Sequence, residues 1–298
     1  MDLLKESENN IIFSVKDGGE TLEEFLLNQG LSSRFFRRVY KGKCIFVNGK
    51  LINKNQVLNM GDIVSIIIED EIDNTFAENM PLDIIYEDMD ILAINKPPFV
   101  VVHPTKSHQA NTISNGIAYY FKEKGIKRKI RLVNRLDMNT SGILLVAKSS
   151  FAHQQMALQF ENNKVEKRYM AVVDGVVEKD SDAIDLPIGR EEEKSIRKVV
   201  TPNGQDALTK YRVMERYNNA TLLDIELITG RSHQIRVHLN HIGHPIIGDT
   251  LYFKSSPYIN RQALHAYYLK LKKPRREEKI ELKANLPKDI KMLINHLK

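Results

Sequence analysis

One cysteine, Cys44, occurs in 298 residues, so no internal disulfide can form and no zinc site can be built on thiolates. No apolar run reaches the length needed to cross a bilayer. The opening residues, Met1-Asp2-Leu3-Leu4-Lys5-Glu6-Ser7-Glu8, lack the basic-then-apolar layout of a signal peptide. These features predict a cytoplasmic protein with no membrane partner. No Gly-x4-Gly-Lys-Ser/Thr loop and no Gly-x-Gly-x-x-Gly occurs, so neither a P-loop nor a dinucleotide fold is indicated, and no nucleotide cofactor is expected. No Gly-x-Ser-x-Gly elbow is present to raise a serine nucleophile. Internal repeats and low-complexity tracts are also missing.

What is present is an ordinary globular balance, 42% hydrophobic and 28% charged, in a chain long enough for two domains. The net charge of +6 favours polyanions, although its distribution matters more than its size. Between residues 31 and 54 lie seven basic side chains (Arg34, Arg37, Arg38, Lys41, Lys43, Lys50 and Lys54) and no Asp or Glu. A solvated helix face would account for a short charge run. Complete exclusion of acids over this stretch favours a polyanion contact surface instead.

The first unit is expected over residues 1–72. Thr21 is a fair N-cap for a short helix presenting Leu22, Phe25 and Leu26. Ser32 or Ser33 can cap a second helix through Tyr40, which Gly42 ends. Residues 44–52 read as a hairpin turning at Asn48-Gly49 in a type I′ turn, and residues 63–68 as a further strand. An acidic, non-periodic stretch over residues 69–79 reads as a linker.

The second unit is expected over residues 73–298. A hairpin is predicted around Asp88-Met89-Asp90. Further strands are predicted near residues 143–148, 168–173, 209–215, 221–228 and 264–271. Helices are predicted near residues 112–124, 150–162, 233–242 and 288–297. Strands arriving in pairs argue for an α+β fold: a mixed, largely antiparallel sheet with flanking helices, preceded by a small ααβ unit.

The chemistry concentrates around Asp137, in Asn134-Arg135-Leu136-Asp137-Met138-Asn139-Thr140-Ser141-Gly142, just before the apolar run 143–147. The turn residues can point a carboxylate out of the sheet while the apolar run anchors the segment. Alone, a turn or cap role would explain this Asp equally well. The segment Thr229-Gly230-Arg231-Ser232-His233-Gln234-Ile235-Arg236 shifts the balance. An arginine from it, set against Asp137, would keep the carboxylate ionised and oriented.

Tyr169 alternates with Ala171 and Val173 in a strand, either as a core tyrosine or as an aromatic face for a base. The stretch 96–104 is a rigid, apolar, basic-tipped loop that walls a cleft or is only a proline turn. His233, His238, His241 and His244 crowd one segment, yet His238 and His241 lack a carboxylate or thiol at ligand spacing. Capping and core hydrogen bonds suit them better, and no metal is expected.

Residues 20–69, with two short helices, a Val-Asn-Gly-Lys turn and a Gly-Asp-x-Val strand, resemble the alpha-L RNA-binding domain, which lays a basic helical face on structured RNA. From about residue 82 onward the chain resembles the RluA-type pseudouridine synthases, most of which modify uridines in large-subunit ribosomal RNA. The likeness rests on Arg-Leu-Asp-x-x-Thr-Ser-Gly at 135–142, Thr-Gly-Arg-x-His-Gln-x-Arg at 229–236, residues 243–249 and residues 96–104.

The resemblance implies that Asp137 attacks C1′ of the target ribose or takes its 2′ proton. Arg236 would be the salt-bridge partner of Asp137, with Arg231 next in line. Tyr169 falls at the family's active-site tyrosine, which stacks on the base. Arg135 matches the arginine that fills the gap left by the flipped nucleotide. Leu264-His265-Ala266 resembles a late segment lining the pocket. Two departures stand out: Asn134 where the family often has His, and Phe99 where it commonly has Gly.

The reaction implied breaks the N1–C1′ bond, rotates the uracil and rejoins it through C5, which needs no cofactor. A second basic run (Lys122, Lys124, Lys127, Arg128, Lys129, Arg131 and Arg135, against Glu123 alone) leads toward Asp137 and is expected to be a phosphate track. RNA, ribosomal RNA above all, is the expected partner of a monomeric enzyme. A non-catalytic RNA-binding or ribosome-assembly factor on the same fold suits the basic patches equally well, but it would not require Asp137, Tyr169 and Arg236 together. A glycoside-type nucleoside hydrolase is disfavoured because no second carboxylate stands at a recognisable partner position.

Overall fold

The computed structural model describes residues 3–105, 109–193 and 195–298. The chain begins with β1 (Asn10–Ser14), α1 (Leu22–Asn28), α2 (Ser33–Lys41), β2 (Ile45–Val47), β3 (Lys50–Leu51) and β4 (Ile63–Ile67). Thr21 caps α1 in a capping box: its hydroxyl accepts the Glu24 N–H, while the Glu24 carboxylate accepts the Thr21 N–H at 2.9 Å. Ser32 caps α2, whose buried face is Phe35, Phe36 and Val39, and Gly42 ends it.

Asn48 and Gly49 both sit at positive φ, 49° and 77°, as a type I′ turn between β2 and β3 requires. The four strands order as β1-β4-β2-β3. The sequence did not signal β1; it earns its place by burying Asn10 and Ile11 against β4.

The rest of the chain supplies β5 (Ile84–Glu87), β6 (Ile91–Lys96), α3 (Ile113–Glu123), β7 (Arg131–Leu132), β8 (Ser141–Ala147), α4 (Ser150–Glu161) and β9 (Glu166–Asp174). It continues with β10 (Ser181–Asp185), β11 (Ile188–Arg190), β12 (Lys198–Val200), β13 (Leu208–Arg216), β14 (Ala220–Leu227) and α5 (Gln234–His241). It closes with β15 (Leu264–Lys272), β16 (Lys279–Lys283) and α6 (Lys288–Leu297). The main sheet orders as β10-β13-β14-β9-β15-β8-β6-β5, with β16 added beside β15 and β7 beside β8. Among the described residues its one parallel pairing joins β15 to β8, so the fold is α+β with a mixed, largely antiparallel sheet.

Every residue of β8 is buried, which explains its unbroken apolar run: both faces of this central strand are covered. Clusters on opposite sides of the sheet divide its side chains, Ile143 and Leu145 joining one and Leu144 and Val146 the other.

The two units share a core. Phe151, near the start of α4, packs within the N-terminal cluster, with ring centroids 6.3 Å from Phe13 and 6.2 Å from Phe35. Gln154 and Gln155 donate to the Gly30 carbonyl, each at 2.9 Å, and Arg38 on α2 reaches Ser150. Arg275 pairs with Asp90 at 2.9 Å and donates to the carbonyls of Ser7 and Asn10.

This docking corrects the expected phosphate track. Arg128 is buried, and its guanidinium contacts Asn9, Asp70 and the carbonyls of Glu8, Glu69 and Lys127. Arg131 pairs with Glu71 at 2.6 Å, and the Asp73 carboxylate accepts the Ile130 N–H at 2.7 Å. The acidic linker therefore runs along the basic stretch and neutralises its middle, leaving Lys129 and Arg135 exposed.

Gly142 sits at φ 118° where β8 meets β15, and a Cβ built there would lie 2.1 Å from the Ala266 carbonyl oxygen. The backbones touch, so only glycine fits. Gly142→Ala is expected to destabilise the protein by about 3 kcal/mol or more, read as a fall in urea midpoint at unchanged slope.

Candidate active site

Asp137 lies in the tip of a hairpin. β7 pairs with the far end of β8, Val133 N–H donates to the Leu145 carbonyl at 2.8 Å, and Asn134 continues the pairing with its side chain. Its amide donates to the Ile143 carbonyl at 3.1 Å and accepts the Leu145 N–H at 2.8 Å. The position uses a donor and an acceptor on a short stem, and the Asn134 amide supplies both.

The tip is then tied down from below. Buried Lys96 donates to the carbonyls of Pro97, Val100 and Met138 at 2.8 to 2.9 Å. Arg261, fully buried and paired with Asp289, donates to the Asn139 carbonyl at 3.0 Å. Gln262 donates to the Thr140 hydroxyl at 3.2 Å. Burial, with Arg261 nearby, pulls the Lys96 ammonium down to about 7. The same lysine holds the 97–100 loop, where Phe99 is exposed at φ 67°. Glycine adopts that backbone freely, whereas phenylalanine there costs about 1–2 kcal/mol.

The opposite wall is the start of α5. Gln234 organises it: its carbonyl oxygen accepts the Arg231 N–H and the Thr229 hydroxyl, and its amide donates to the Leu208 carbonyl and the Thr209 hydroxyl. Arg236, in the first turn, is buried and forked. Nε and Nη2 bind both oxygens of Asp249 at 2.7 Å, and Nη1 reaches Asp137 Oδ2 at 2.9 Å. Asp249 is itself held by the N–H groups of Leu251 and Tyr252. With two of its nitrogens committed to Asp249, Arg236 presents the third in a fixed direction.

Arg231 does not share this role. It is exposed, and its Nε donates to the Asp206 carbonyl at 3.0 Å, so it lines the cavity without pairing to Asp137. The reason is local: Arg231 precedes the helix, while Arg236 lies inside it on the face turned to the hairpin.

A cavity of about 320 Å³ opens between these walls, lined among others by Arg135, Asp137, Tyr169, Arg231, His233 and Arg236. That is at the small end of ligand-pocket sizes. A groove of about 850 Å³ adjoins it and shares Asp137, Arg135 and Arg236. Tyr169 enters from β9, where it pairs with Ile225 and Ala266. Burial pushes its phenol well above the usual range, and the Asp137 charge adds to this, so the ring is a protonated, apolar surface.

Lys167, two residues earlier, lines the same cavity and donates to the Ile228 carbonyl at 2.9 Å. Burial pulls it down to about 8. Sequence reading missed Lys96 as an anchor and gave no role to Lys167, Asp249, Tyr252 or Arg261. Asp249 was within reach, standing in the quoted 243–249 segment as an acid after a glycine turn. Arg261 carried no signal.

Two of the crowded histidines, His238 and His244, have structural partners. His238 bonds the Thr209 hydroxyl and the Leu186 carbonyl, and His244 bonds the Asp174 carbonyl. Among the described residues no cluster of three or more His, Cys, Asp or Glu could hold a metal ion, and no helix is long and apolar enough to cross a membrane.

The site therefore joins a carboxylate oriented by a forked arginine to an aromatic ring in one cavity. Residues 90–241 match the family model for RNA pseudouridylate synthases. The chain is 39% identical over 277 residues to the uncharacterized RNA pseudouridine synthase YjbO of Bacillus subtilis, covering 92% of this chain and 98% of that protein. It is 40% identical over 271 residues to ribosomal large subunit pseudouridine synthase D of Yersinia pestis, covering 85% of this chain and 83% of that one. Among solved structures, human RNA pseudouridylate synthase domain containing 4 superposes with a TM-score of 0.61 at 27% identity, over 72% of this chain and 92% of that one. The chain belongs to the RNA pseudouridylate synthase family, and it is an isomerase.

The Leu264-His265-Ala266 segment divides its roles: Leu264 lines the cavity, while His265 is buried behind it. His265 Nδ1 lies 2.9 Å from the Ser141 hydroxyl, and burial pulls its imidazole down to about 4. The unfolded chain takes up this proton near pH 6.5, the folded chain only near 4, so stability is full above 6.5 and is lost as pH falls through 4. Urea unfolding between pH 7 and 4 is expected to reveal a loss of about 3 kcal/mol that a His265→Gln variant lacks.

Proposed function

We propose that this enzyme converts specific uridines of ribosomal RNA, most directly 23S ribosomal RNA, to pseudouridine with Asp137 as the essential carboxylate. Several relatives carry the name ribosomal large subunit pseudouridine synthase D, which supports the large-subunit substrate. The observation that carries the reading is the 2.9 Å contact from Arg236 to Asp137 inside a cavity that also takes Tyr169.

In this reading the N1–C1′ bond breaks, uracil turns, a C5–C1′ bond forms, and the proton on C5 is lost as N1 gains one. Atoms balance, with no oxidant and no group donor. Asp137 acts at C1′ or on the 2′ proton, and Arg236 holds it in position. Tyr169 stacks on the uracil, and Arg135 fills the gap left in the RNA. Arg231 contributes charge at the rim rather than a second clamp. Flipping a uridine out of its stack costs a few kcal/mol, which stacking and phosphate contacts offset.

Arg34, Arg37, Lys41, Lys43 and Lys50 are exposed on or beside α2 and its hairpin, which supports a role for residues 1–72 as an RNA-binding domain ahead of a catalytic domain over 73–298, while Arg38, also exposed, is engaged by Ser150. Lys129 remains available to RNA, whereas Arg128 and Arg131 serve to dock the two units. The protein acts as a cytoplasmic monomer without a cofactor.

Asp137→Ala tests the assignment. Pseudouridine formation in a ribosomal RNA fragment is expected to fall by about 10³-fold or more, with RNA affinity within about twofold of the parent. Retained activity would exclude the synthase role of this residue.

A further inference from the structure

Tyr252 lies where several parts of the site meet. Its phenol oxygen accepts the backbone N–H of Lys198, at the start of β12, at 2.9 Å, and lies 2.9 Å from Nδ1 of His233. The ring is buried, with the Arg236 guanidinium 5.0 Å and the Arg197 guanidinium 5.6 Å from its centroid. The His233 ring meets it edge-on, with centroids 5.7 Å apart and an interplanar angle of 85°.

A phenol has one hydrogen to give. The Lys198 N–H already points at the oxygen, so that hydrogen needs an acceptor. Among the described residues, Nδ1 of His233 is the one within reach. Burial pushes the Tyr252 phenol up, so it keeps its proton at neutral pH. Burial also pulls His233 down, and Arg236 and Lys198 add to this against Asp137 and Asp249, so the imidazole is neutral. A neutral imidazole accepting at Nδ1 carries its hydrogen on Nε2.

Nε2 stands 3.8 Å from Asp137 Oδ2, the same oxygen that receives Arg236 Nη1. At that distance the contact is electrostatic, and a shift of under about 1 Å on substrate entry makes it a hydrogen bond. The backbone of His233 is left-handed, at φ 60°, a conformation a histidine adopts only where its surroundings impose it.

We propose that Tyr252 is a positioning residue that locks the Nε2–H tautomer of His233, so that His233 and Arg236 together occupy Oδ2 of Asp137 and leave Oδ1 to meet the ribose. This rests on the reading of Asp137 as the reacting carboxylate. It explains why the αL backbone at His233 is retained: it aims the imidazole across the cavity mouth at one oxygen. It also links β11 and β12 to the chemistry, because Lys198 sets the direction in which the phenol gives its hydrogen.

The test is long-range proton–nitrogen NMR on the full-length protein labelled at its histidine nitrogens, with the His233 signals assigned by their loss in His233→Gln. The parent is expected to hold the Nε2–H tautomer. In Tyr252→Phe the Nδ1–H form should gain population, and kcat should fall about tenfold with KM within about twofold of the parent. His233→Gln, whose amide can return a donor near the Nε2 position, should keep more activity than His233→Ala. A parent in the Nδ1–H form, or a Tyr252→Phe protein with unchanged tautomer and kcat, overturns the proposal. The tautomer is read without turnover, so it fails separately from the synthase assignment.

Discussion

The forked guanidinium of Arg236 is the constraint on which the site depends. One cation serves two carboxylates, both oxygens of Asp249 and one of Asp137. Asp249 takes two nitrogens and thereby fixes the plane of the guanidinium, and the third nitrogen then dictates where the Asp137 carboxyl can rest. Taking away the arginine would leave two acids facing each other in a half-buried cavity. Breaking such a buried pair costs about 3–5 kcal/mol in proteins, so Arg236 supports the fold and the chemistry at once.

The surrounding structure serves that geometry from both sides. From the sheet side, the hairpin of β7 and β8 carries Asp137 at its tip, pinned by Lys96, Arg261 and Gln262 through backbone carbonyls and one hydroxyl. From the helix side, Gln234 shapes the turn that launches α5. The close passage of β8 and β15 at Gly142 brings the Asp137 hairpin against the strand that pairs with Tyr169. A pinned hairpin tip on one side and a helix start on the other therefore set the distance between Asp137 and Arg236.

Much of this was legible in the sequence because it was local. The capped helices, the Asn48-Gly49 turn and the buried run of β8 all follow from nearest-neighbour chemistry, and the structure has them where periodicity placed them. The residues alone left Arg231 and Arg236 both open as the partner of Asp137; the family resemblance favoured Arg236, which makes the contact.

What escaped was long-range. Arg128 looked like an RNA ligand because its partners, Asn9 and Asp70, lie far away in the chain, and sequence charge alone cannot tell a solvated cation from a docked one. Arg231 and Arg236 differ only in whether the helix has begun. Lys96 and Arg261 act on backbone carbonyls, which every residue has, so no pattern of side chains could announce them. β10, β11 and β12 are short, partly exposed strands without the alternation that marks a half-buried edge.

The most direct test of the central claim is the turnover of Arg236→Lys on a ribosomal RNA fragment, measured beside its RNA affinity. A lysine keeps the positive charge but cannot fork to both carboxylates. Pseudouridine formation is expected to fall by about 100-fold while affinity for RNA stays within about twofold of the parent. Turnover equal to the parent would mean that charge alone suffices and that the forked geometry does not set the position of Asp137.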